Sequence, residues 1–113
     1  MRNGISLLAL AQVATGVITS RRFVTPAAAV AGAGVNAQGV AQSDAAIGDS
    51  FTTTVLGTEI VEAGAAIAAN ALIECDATGR AITKAAGVTL GRLAPGDVAT
   101  AAGQFVEVIL FPN

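Results

Sequence analysis

The reading of "IVEAGAAIAANALIECDATGRAI", Ile60 to Ile82, decides the fold. Its alanines suit one long helix, yet it runs into Asp76-Ala77-Thr78-Gly79-Arg80, a tight-turn sequence. Gly64 interrupts the alanine run early, and Asn70 follows six residues later. Asn is the non-glycine residue that best tolerates the left-handed region. The stretch therefore parses as a strand over Thr58 to Val61, a turn at Ala63-Gly64 and a short piece from Ala65 to Ala69. A turn at Asn70 and a strand from Ala71 to Cys75 follow. Asp76 to Gly79 closes a hairpin with Gly79 in the left-handed position, and Arg80 to Thr83 returns. A helix from Glu62 to Cys75 is the alternative, but short strands fit the turn residues better.

The flanking sequence also favours strands. In "SFTTTVLGTEIV" the residues Thr52 to Val55 are β-branched without a break, which suits a pleated strand better than a helix. Alternation puts Phe51, Thr53 and Val55 on one face and Thr52, Thr54 and Leu56 on the other. The segment "QFVEVILFP" repeats the pattern, with Val106, Val108 and Leu110 opposite Phe105, Glu107, Ile109 and Phe111. A faint echo links the two: "AAIGDSFTTTVL" and "AAGQFVEVIL" each place Ala-Ala and a Gly before a Phe-led strand. A Gly with positive φ feeding an apolar strand would explain both. The expected class is mainly β, a small barrel or sandwich-like domain of short strands.

Composition points to an oligomer or a lattice component. Of the 113 residues, 53% are hydrophobic and 12% charged, about half the usual charged share of roughly 25%. A free monomer with so few charges is poorly solvated, so part of the exterior is expected to lie against other chains. The N-terminus begins like a targeting signal, with Arg2 before the apolar run "ISLLALAQVATGVITS" and Arg21-Arg22 after it. Gln12, Thr15 and Gly16 interrupt that run, and it is shorter than the ~18–20 apolar residues of a membrane span. It reads as an extended or partly helical arm over residues 1–23, with a helix allowed over Ile5 to Val13, ahead of one β-rich domain over 24–113.

The chemical inventory is thin. With no His, Ser-His-Asp and Cys-His arrangements are impossible, and the commonest metal ligand is missing. The eight acids are scattered singly, Lys84 lacks the hairpin-tip setting of a biotinylated lysine, and "GAGVNAQG" has Ala37 where a dinucleotide loop needs its third Gly. Cys75 reads as a small buried hydrophobe. The cations Arg2, Arg21, Arg22, Arg80, Lys84 and Arg92 form no basic stripe, so a nucleic-acid partner is not expected. Neither a catalytic site, a cofactor, a metal nor a membrane partner is expected.

The order and spacing of "GVAQSDAAIGDSFTTTVLGT", "VEAGAAIAANALIECDATGRAITKAAG" and "LAPGDVATAAGQFVEVIL" resemble the capsid cement, or head decoration, proteins of tailed phages. That family shows A-G-x-x-[IV] and D-A-x-G-[RK]-A units and a final G-x-x-[VF]-x-V-x-[LI] strand. Asn70 departs from it, standing where Gly is expected. The resemblance runs from about Val30 to Leu110 and leaves the arm outside. It implies a structural decoration protein on the outer surface of the virion capsid, commonly a homotrimer, bridging major capsid protein subunits against internal DNA pressure. The arm is then expected to pack on a neighbouring subunit or the capsid through Leu7, Leu8, Leu10, Val13, Arg21, Arg22 and Phe23. The other possibility is that it adds an edge strand or core helix to its own domain. Gly64, Asn70, Asp76 and Gly79 are the expected structural turns. A tail or baseplate component or a surface-layer subunit is the alternative function.

Overall fold

A computed structural model describes residues 5–111 and is all-β, with a nearly closed antiparallel barrel. The strands are β1 (Ile5–Val13), β2 (Phe23–Val24), β3 (Gly39–Ala41), β4 (Ser50–Glu62), β5 (Leu72–Cys75), β6 (Ala81–Thr83), β7 (Gly91–Leu93) and β8 (Phe105–Leu110). The sheet runs β2-β3-β4-β8-β7-β5-β6, and β1 pairs with β4 off this path.

The opening stretch folds as short strands. Asn70 sits at φ 63° and Gly79 at φ 79°, both left-handed. Asp76 organises the hairpin: its Oδ1 accepts from the N–H groups of Thr78 and Arg80, both at 2.9 Å, and from the Thr78 hydroxyl. Such side-chain acceptance is why Asp favours turns. Of the extended and helical alternatives for the N-terminal stretch, Ile5–Val13 takes the extended one as a strand, although Leu and Ala favour helix, because β4 offers eight cross-strand pairs that outweigh local propensity. One expectation needs correction. The strands expected near Phe51 and at Thr58–Val61 are one, β4, continuous through Gly57 at φ 106°. Within it Thr53 and Thr54 are both buried, so strict alternation fails there. In β8 alternation holds, with Val106, Val108 and Leu110 buried.

The fold contains one β unit twice, with β4 closing the first and opening the second. Val13 faces Ser50 as Glu62 faces Phe105, and the match continues to Ala9–Thr54 against Thr58–Ile109. Paired hydrogen bonds join Ile18 to Ala45 as they join Ile67 to Ala99. Gly48 donates to Ala14 and Gly103 to Ala63, at φ 90° and 88°. The turn at Thr25–Ala29 matches the one at Asp76–Arg80. Phe23–Val40 and Leu72–Arg92 are equivalent cross-strand pairs. Gly39 and Gly91 hold one role: a Cβ there would collide with the carbonyl of Thr54 or of Ile109. Each unit has its own core. Ala14, Ile18, Val24, Ala41 and Phe51 fill the first, and Ala63, Ile67, Ile73, Leu93 and Val106 hold the matching places in the second.

Candidate interaction surface

The two units meet along the side of β4. The segment Thr19–Phe23 of the first unit lies against the second half of that strand. The Arg21 N–H donates to the Ala41 carbonyl at 2.9 Å within its own unit, its carbonyl accepts from the Glu62 N–H at 2.9 Å, and its guanidinium donates to Glu59 Oε1 at 2.7 Å. Glu59 is buried, and it also accepts from the Thr54 hydroxyl at 2.8 Å and the Ile60 N–H at 2.9 Å. Its carboxylate is thus surrounded by donors, as a buried charge requires. Next to it, Arg22 pairs with Glu62, which also meets Arg80, and Arg80 pairs with Asp76. Phe23 is 1% exposed and packs in the second unit's core cluster with Val40 and Leu90.

These positions redraw the expected contact set. Arg21 and Arg22 turn inward onto the protein's own β4. Phe23, expected at an interface, is a core residue, because the junction between units encloses it. Leu7, Leu8, Leu10 and Val13 are exposed on β1, Leu7 the most at 71%. Val17 and Ile47, also exposed, lie beyond the end of the strand. β1 carries no charged residue, and all of its residues but Gln12 are exposed. A long uncharged edge strand of this kind is what proteins ordinarily shield with Lys, Pro or a covering element.

Several other polar groups have structural partners. Burial pushes the Cys75 thiol up, and its Sγ donates to the Gly32 carbonyl at 2.8 Å, so it is an unreactive core group. The N–H groups of Ala85, above all, and Gly87 hold the Glu74 carboxyl below its ordinary range, outweighing burial. For Asp76 burial opposes ionisation, but the N–H groups of Arg80 and Thr78, the Thr78 hydroxyl and the Arg80 charge together lower it. Asp97 Oδ2 accepts from the Glu107 N–H at 2.6 Å. Lys84 Nζ donates to the Ala85 carbonyl at 3.0 Å. A shallow open depression of about 400 Å³ lies between Val17–Thr19 and Asp44–Asp49. Among the described residues no group of three or more His, Cys, Asp or Glu is placed to hold a metal ion, and no helix is long and apolar enough to cross a membrane.

Sequence reasoning missed the Arg21–Glu59 junction and half of the repeat. The echo before β4 and β8 was legible. Its counterpart, 14–30 against 63–81, keeps only Ala14/Ala63 and Ile18/Ile67 identical in register and is hidden by two extra residues, Glu74 and Cys75.

A two-unit β module whose polar groups serve its turns and its junction, and whose outer strand is apolar, belongs to the class of structural assembly proteins. The chain belongs to the phage cement protein family, whose model matches residues 2–110, the N-terminal segment included. It is a capsid-associated structural decoration protein of a phage. No curated protein matches it. Among solved structures, the head fiber gp8.5 N base of bacteriophage phi29 shares the fold. The TM-score is 0.74 at 18% identity, over 92% of this chain and 93% of that one.

Proposed function

We propose that the protein sits on the outer surface of the capsid as a homotrimer without catalytic activity, bridging major capsid protein subunits and stabilising the shell. The carrying observation is β1, whose Ile5, Leu7, Leu8, Leu10 and Val13 stand in solvent on the isolated chain. Burying such a side chain contributes about 1.5–3 kcal/mol before ordering costs. Because β1 is already ordered against β4, little further backbone entropy is lost on docking. A protein that binds the shell but not its dissociated subunits stabilises the shell by mass action, and a trimer multiplies modest contacts. The chemistry agrees with this reading, since Arg21, Arg22, Glu59, Glu62, Asp76 and Arg80 are committed to a turn and to the junction between units.

Co-sedimentation with undecorated expanded heads tests it. The purified protein is expected to saturate the heads and to raise the temperature at which they release DNA. Binding to tails in place of heads, or binding that leaves head disruption unchanged, overturns the proposal.

A further inference from the structure

The chain carries, exposed on its surface, counterparts of both halves of the contact that joins its two units internally. At the internal junction, Thr19–Arg22 is partly covered and Phe23 is buried against the second unit. The equivalent segment of the second unit, Ala68–Leu72, is largely open: Ala71 packs on the core, but Ala68, Ala69 and Asn70 are exposed, and Leu72, in the place of Phe23, is 43% exposed. The strand that receives the first segment is the second half of β4, where Glu59 and Val61 are buried. Its equivalent in the first unit is β1, whose outer edge pairs with no strand among the described residues.

We propose that a second copy of this chain joins these two surfaces, head to tail, with Ala68–Leu72 of one copy along the outer edge of β1 of the next. This deepens the self-association part of the functional reading above and rests on it. Three features favour it. Asn70 holds φ 63°, the same left-handed conformation as Arg21, so both segments present their backbone alike. By register, the Val13 N–H stands where Glu62 donates to the Arg21 carbonyl. The residues replacing the internal ion pair match each other: Leu10 stands for Glu59 and Asn70 for Arg21, so neither surface brings an unpaired charge into the contact. A contact between two different patches is heterologous, and it closes into a ring when its rotation divides a full turn.

Sedimentation across a concentration series reads the outcome, with circular dichroism to verify that each variant folds. Leu10→Glu is expected to weaken association at least tenfold. Leu10→Glu combined with Asn70→Arg is expected to restore it by rebuilding the Arg21–Glu59 pair between copies, in a salt-sensitive form. In parallel, a short bismaleimide is expected to cross-link Leu10→Cys chains to Asn70→Cys chains in a mixture, and neither variant to itself. Cross-linking of Leu10→Cys to itself, or an oligomer indifferent to Leu10→Glu, overturns this contact and leaves self-association standing. A wild-type chain that stays monomeric throughout overturns both.

Discussion

Gly79 shows how much of the hairpin one residue holds. It lies at φ 79°, and a Cβ there would stand 2.7 Å from Val30 Cγ1 and 3.0 Å from the Phe23 carbonyl. A β-branched side chain would be strained in its own backbone and would also push on the contact between the two units. Gly79→Val is therefore expected to cost more than about 1 kcal/mol, read as a lower melting temperature. Asn70→Gly, at an exposed left-handed position, is expected to be neutral or mildly stabilising. An unchanged melting temperature for Gly79→Val would contradict this account of the turn.

At the scale of the element, β1 and the Thr19–Phe23 segment behave oppositely, though both come from the apolar N-terminal stretch. The segment is structural. Removing its guanidinium leaves the buried Glu59 carboxylate without its cation, so Arg21→Ala is expected to destabilise by about 1–3 kcal/mol, a figure at the modest end because Arg21 is itself 37% exposed. β1 contributes its backbone ladder to the fold but leaves its side chains in solvent. Leu7→Lys is thus expected to change stability by no more than about 0.5 kcal/mol while reducing head binding. Denaturant titration of both variants, beside co-sedimentation, separates the roles. A Leu7→Lys protein that melts early would place that side chain in the fold instead.

For the whole molecule, the absence of His leaves stability nearly flat between about pH 5 and 8. Asp76 and Glu74 are both held below the ordinary carboxylate range, so at a given acid pH the folded chain binds fewer protons than the unfolded one. Their contribution is present above the unfolded value of about 4 and is lost as pH falls through the lower folded values. Melting temperature is expected to drop below about pH 4. Asp76→Asn should lower stability at neutral pH and make the acid limb shallower. An acid limb with the wild-type slope in that variant would show that other groups govern it.

Local chemistry made the turns readable from sequence: Asn70 and Gly79 are residue types that tolerate positive φ, and Asp76 can accept the N–H groups of its own turn. The same holds for β8, where one strand has one buried face and alternation follows. The β class and the family resemblance were legible for these reasons. Pairing across the chain decided the rest. β1 is helix-prone by composition and became a strand because β4 lay ready to bond it. β4 borders different partners along its length, so Thr53 and Thr54 are both buried and no alternation could announce it. Arg21, Arg22 and Phe23 looked like the rim of an outside contact, since sequence shows that a surface must be covered but not by what. Only the folded chain places them against its own second unit and leaves Ala68–Leu72 and β1 open, because burial is a property of what stands opposite a residue.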